Sequence, residues 1–187
     1  MSSPERGADH RSYLASDGKS LDVDVFNGLV ENYGIELVGR VDFPASEILT
    51  DPMRTLRRLS SNLALHGTFV DRLQPVFEAD AGLDIPGHLG VVMRPVTVRN
   101  DHRIRELLPK EHFLSAADIA HICASVLSGK WTDLVADFSV IAMYARDVDG
   151  ADAVALLSPV TDGHRVLYVL DRDQNWSEHG PLIIVPV

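Results

Sequence analysis

From Asp137 to Val187 the chain reads as four strands in a row, and this stretch constrains the fold more than any other. Phe138 to Arg146 leads into Asp149-Gly150, and Ala151 to Ser158 leads into Thr161-Asp162-Gly163. His164 to Asp171 then leads into a polar loop, and Pro181 to Val187 closes the chain. Asp-Gly between apolar runs is a strong hairpin signal, because both residues tolerate the positive φ of a tight turn. The pattern predicts a C-terminal four-stranded antiparallel meander. A sheet this apolar must be covered, and the helices upstream are the available cover.

Upstream, helix and strand signals alternate. Ile35 to Phe43 alternates apolar and polar, with Ile35, Leu37, Val41 and Phe43 expected on one face. Asp51-Pro52 opens a helix: Asp caps it, and proline is tolerated where its missing N–H has no partner. Met53, Leu56, Leu59 and Leu63 form its stripe, and Gly67 is the expected stop. Thr68 is read as the cap of a second helix that Pro75 kinks or restarts. Leu89 to Arg99 reads as a strand, and Pro95 assigns it to an edge or a bulge. Asn100 caps a short helix. Ser115 opens the clearest one, with Ile119, Ile122, Cys123 and Val126 inward and Asp118, His121, Ser125 and Ser128 on the polar face.

These elements predict an α+β fold, helices packed on one face of a mostly antiparallel sheet. Residues 1–19 are polar and are read as a flexible tail, and residues 20–187 as one α+β domain. Within the latter, Ser20 to Tyr33 has helical spacing, although Leu21, Val23 and Val25 also alternate like a strand and Asn27-Gly28 suits a hairpin.

The net charge is −10, from 27 acidic and 17 basic residues. An acidic surface repels phosphate backbones, so nucleic acid is an unlikely partner and a protein partner is favoured. One cysteine precludes an intramolecular disulfide and suits a reducing, cytoplasmic setting. The N-terminus lacks the apolar core of a secretory signal, and no apolar run has the length of a membrane span.

Few residues carry chemistry. Cys123 is a candidate nucleophile with His164 as base and Asp171 as orienter, but it lies on an apolar helix face where it reads as a small buried hydrophobe. Asp171-Arg172-Asp173-Gln174-Asn175 begins like a calcium loop. Trp176 and Leu182 then occupy the positions that require Gly and Glu, which excludes an EF-hand. His102 and Glu106 sit one turn apart with His112 beyond, a spacing common on charged surface helices. No metal or cofactor is predicted. Arg54, Arg57 and Arg58 share one helix face and are candidates to bind an anion or acidic partner, or to pair with nearby carboxylates. Trp176 is a candidate interface anchor.

The expected function is therefore non-catalytic: a protein-binding domain or a subunit of a larger assembly, such as an immunity-like inhibitor or a phage-like structural component. The apolar terminal strand suggests self-association or a protein partner paired along it. The alternative is an enzyme or small-molecule binder with a pocket between curved sheet and helices, where Tyr144, Tyr168, His164 or Asp137 supply acid–base groups.

Overall fold

The computed structural model describes residues 34–45, 51–83, 85–96, 99–108, 113–136, 139–161, 163–176 and 180–186. The readings of residues 1–33, the tail and the Ser20–Tyr33 segment, lie outside these, as do those of His112 and Asp137. Among the described residues, nine strands run in the order β1 (Ile35–Phe43), β2 (Leu63–Leu65), β3 (His88–Pro95), β4 (Arg99–Asn100), β5 (Ile141–Arg146), β6 (Asp152–Pro159), β7 (Arg165–Val169), β8 (Asn175–Trp176) and β9 (Leu182–Pro186). The helices are α1 (Pro52–Arg58), α2 (Gly67–Arg72), α3 (Gln74–Ala79), α4 (Asp101–Leu107) and α5 (Ala116–Leu127).

Seven strands form one mixed, mostly antiparallel sheet in the order β1-β3-β9-β5-β6-β7-β2, and β4 and β8 pair separately. β5, β6 and β7 form the expected meander. Gly150 and Gly163 adopt φ of 74° and 77° at its two turns, the left-handed region that glycine enters without a Cβ penalty.

The fourth strand of the predicted meander lies elsewhere. β9 does not pair with β7. It crosses back to the middle of the sheet, parallel to β5 and antiparallel to β3. Its sequence explains the placement. Leu182, Ile183, Ile184 and Val185 are all buried, and a strand apolar on both sides belongs where both faces are covered. The bare apolar edge expected at the C-terminus is therefore an interior strand.

Both faces are covered because helices pack on both, not on one. Leu182 and Ile184 join a core with Met53 and Leu56 of α1, Phe69 of α2, Phe77 of α3, and Ile119 and Ile122 of α5. Ile183 and Val185 point the other way, into a second core with Ile104 of α4 and Trp176 of β8. The crossover between β7 and β9 thus contributes to the cover of the second face.

Local departures from the sequence reading have local causes. β1 carries a bulge between Leu37 and Gly39, and one extra residue flips side-chain direction. Ile35 consequently joins the second core while Val41 and Phe43 join the first. α1 ends at Arg58, short of Gly67, and Leu63–Leu65 forms β2 beside β7. The polar run Ser60-Ser61-Asn62 separates the two. His66, rather than Thr68, caps α2, its Nδ1 accepting the Thr68 N–H at 3.2 Å. Thr68 instead accepts the Val169 N–H through Oγ1 and ties α2 to β7. Pro95 is the last residue of β3, an interior strand, so its missing donor falls at the strand end. α5 has the full capping box between Ser115 and Asp118. Asp118 and Ser125, expected on a wet face, are buried.

Candidate functional site

The proposed nucleophile, base and orienter occupy three separate environments. Cys123 is 0% exposed within α5. Burial pushes its thiol up to about 12, with Arg165 only partly opposing the shift. Such a thiol is not ionised near neutral pH and is a poor nucleophile. His164 is exposed at the turn before β7, and Asp171 is exposed beyond the far end of the same strand. Both lie beyond the ends of the five-residue β7, which by itself spans roughly 13 Å at about 3.3 Å per residue. The structure does not bring the three together.

The other acid–base candidates are also dispersed. Tyr144 is fully buried on the second face of the sheet, and burial raises its phenol pKa. Tyr168 is half-buried, its hydroxyl 3.4 Å from Ser158 Oγ. Between the first face and its helices the space is filled by apolar side chains, including Ile119, Ile122, Met143 and Ile184, all at 0% exposure. Cys123 lies within this core, and Arg165, itself 5% exposed, acts on its thiol.

Charged groups gather instead around α4, on the second side. Asp101, its first residue, is almost fully buried. Its backbone N–H donates to Gln174 O, and its carboxylate accepts the Gln174 N–H. Arg105, one turn on, pairs with Asp101 at 3.2 Å and also with Asp173. Burial raises the Asp101 pKa, while the Gln174 N–H and Arg105 oppose the rise. Nearby, Arg72 pairs with Asp147 at 2.7 Å and donates to Leu170 O at 3.0 Å. Burial acts to raise the Asp147 pKa, but Arg72 and the N–H groups of Ala151 and Asp149 outweigh it and hold the carboxyl below its ordinary value.

Arg72 and Arg105 border a cleft of about 140 Å3 with Asp152, Asp171 and Arg172. Arg72 and Arg105 are occupied by the protein's own carboxylates. Sequence reasoning missed this cluster, since its members are scattered from Arg72 to Asp173. The available signal was Asp101 directly after the Asn100 cap, where a carboxylate favours a helix start. A second depression, of about 460 Å3, lies at the β6–β7 turn, bordered by Asn62, Val126, Val160 and His164.

On the first side, His88 Nε2 lies 3.4 Å from Asp118 Oδ1, and its ring stacks on Phe43. His121 meets the other flank of Phe43 and the edge of Trp131. Burial lowers the His121 pKa, Lys130 adds to the shift, and Asp118 opposes it. Trp131 closes the core beside α5, as its position in the sequence suggests.

The metal and binding candidates are now placed. His102 Nε2 lies 3.1 Å from Glu106 Oε1 on the exposed side of α4. Among the described residues no group of three His, Cys, Asp or Glu is arranged to hold a metal ion. Trp176 is not an exposed anchor, because β8 carries it into the second core. Arg54, Arg57 and Arg58 are exposed on the side of α1 away from Met53 and Leu56. Arg57 reaches Glu78 at 3.3 Å. Among the described residues no helix is long and apolar enough to cross a membrane. No protein-family model, curated protein or solved structure matches the chain.

Proposed function

We propose that the protein is non-catalytic and works by binding another protein, as a recognition domain or a subunit of a larger assembly. The observation that carries this reading is the apolar packing between the first face of the sheet and its helices. The enzymatic alternative needs polar side chains converging there. Cys123 lies within that space, and burial suppresses its ionisation. Tyr144 is buried on the second face, His164 and Asp171 stand beyond opposite ends of β7, and Arg72 and Arg105 are held in ion pairs. A rigid scaffold with a charged exterior suits recognition.

The interior position of β9 moves the expected interface. β9 has no open edge for self-association, and β1 and β2 are the outer strands of the described sheet, so partner contact falls to the outer surfaces of the molecule.

Sedimentation of the tagged protein tests the reading, first in a gentle lysate of the cells that produce it and then after purification. The lysate species should be heavier than the purified chain of 20.5 kDa. Identical sedimentation in both would refute the proposal.

A further inference from the structure

α1 presents an anomaly of charge. The chain has 27 acidic residues for 17 basic ones, so carboxylates are in excess. Five described arginines have drawn on that excess. Arg72, Arg94, Arg103 and Arg105 each hold a carboxylate, and Arg57 of α1 itself holds Glu78. Arg54 and Arg58 are exposed, and among the described residues neither side chain makes an ion pair or hydrogen bond. They stand four residues apart, so they are neighbours about 5–6 Å apart at Cβ on one helix face. Buried Pro52, Met53 and Leu56 fix the opposite face against the core, and the Asp51 cap anchors the first turn through the Arg54 N–H at 2.7 Å. The two cations are therefore held by a fixed piece of backbone, with their guanidinium groups unpaired among the described residues.

We infer that the outer face of α1 docks an acidic helical segment of the partner protein, with Arg54 and Arg58 each taking a carboxylate. This rests on the protein-binding reading above and names its contact surface. Guanidinium forks match carboxylates bidentately, and two carboxylates one helical turn apart have the same spacing as the two arginines. A long polyphosphate fits less well, because a backbone carrying one charge per ~1.7 Å must lie against a strongly acidic molecule. At physiological salt the screening length is about 8 Å. A segment with a few carboxylates is then drawn to the local arginines without facing the whole surface.

The test uses the full chain and a fluorescein-labelled helical peptide with glutamates at i, i+4 spacing, followed by anisotropy. Binding should saturate at about 50 mM salt and weaken on raising salt. The Arg54→Glu/Arg58→Glu variant should lose at least about tenfold in affinity, the scale expected from removing two charge-assisted contacts. Arg54→Gln/Arg58→Gln should lose affinity in the same direction, and it substitutes if charge reversal harms the fold. Arg103→Glu should bind like the parent chain. Absent saturable binding, or unchanged binding in the double variant, would overturn the inference. So would equally tight binding of a single-stranded oligonucleotide of equal charge. Concentration-dependent dimers abolished by the double variant would assign the face to a second copy instead. If the heavier species persists in lysate while the peptide fails to bind, the surface is wrong and the protein-binding reading stands.

Discussion

Ile184→Ala tests the interior position of β9 quantitatively. Ile184 is 0% exposed, opposite Val92 of β3 and Met143 of β5, within the core under the helices. The substitution removes three carbons, worth about 2.4 kcal/mol at ~0.8 kcal/mol per buried carbon. Packed neighbours on both strands and under the helices limit collapse into the space, and the residual cavity adds about 1 kcal/mol or more. The expected loss is therefore roughly 3–4 kcal/mol. Urea unfolding with a slope of about 2 kcal/mol per molar should show the midpoint falling by about 1.5–2 M with the slope unchanged. Leu37→Ala, on β1 at a side chain 42% exposed, should shift it by a small fraction of that. A loss below about 1 kcal/mol for Ile184→Ala would refute the interior placement and restore an edge strand.

Asp147→Ala should cost about 2–3 kcal/mol, because it leaves Arg72 without its partner and frees the Ala151 and Asp149 N–H groups of the β5–β6 turn. Thermal melts above pH 5 measure this. Since the Asp147 pKa is held down in the folded state, the stability it contributes is present above the unfolded value near 3.9 and is lost as pH falls through the folded one, so the gap between parent and variant should narrow in acid. His121 titrates with the opposite charge change. Burial lowers its folded pKa, so the unfolded chain takes up the proton first and stability declines as pH falls below about 6.5. A His121→Gln variant should flatten that decline in melts between pH 7.5 and 5.5, and an undiminished slope would contradict the burial argument.

The sequence made local structure legible and long-range pairing much less so. Asp51, Asn100 and Ser115 are caps because a side-chain oxygen meets a free N–H a few residues on, all within one turn of chain. The Gly150 and Gly163 turns are equally local. β9 was legible as a strand but not in its place. The continuous run Leu182–Val185 announces that both faces are covered, yet only the tertiary fold reveals α4 and β8 as the second cover. β2 was hidden for a related reason: three residues, Leu63–Leu65, continue the helical spacing of α1 and become a strand only because β7 lies alongside. Of the candidate site, Cys123 was legible as buried from its helical stripe, and the Arg54 and Arg58 face from its spacing. The Asp101–Arg105–Asp173 and Arg72–Asp147 pairs were not, since each joins residues distant in sequence or buried by distant ones.

The reactivity of Cys123 tests the central claim, a closed apolar interior between the first face of the sheet and its helices, most directly. The chain has one cysteine, so a chromogenic disulfide reagent reports on that position alone. Folded protein at pH 8 should release no colour over hours, because the thiol is fully enclosed and its pKa is pushed up to about 12. Denaturant should then expose one equivalent that reacts within minutes. Rapid release of one equivalent by protein that circular dichroism shows to be folded would place an accessible thiol in that layer and contradict the non-catalytic reading.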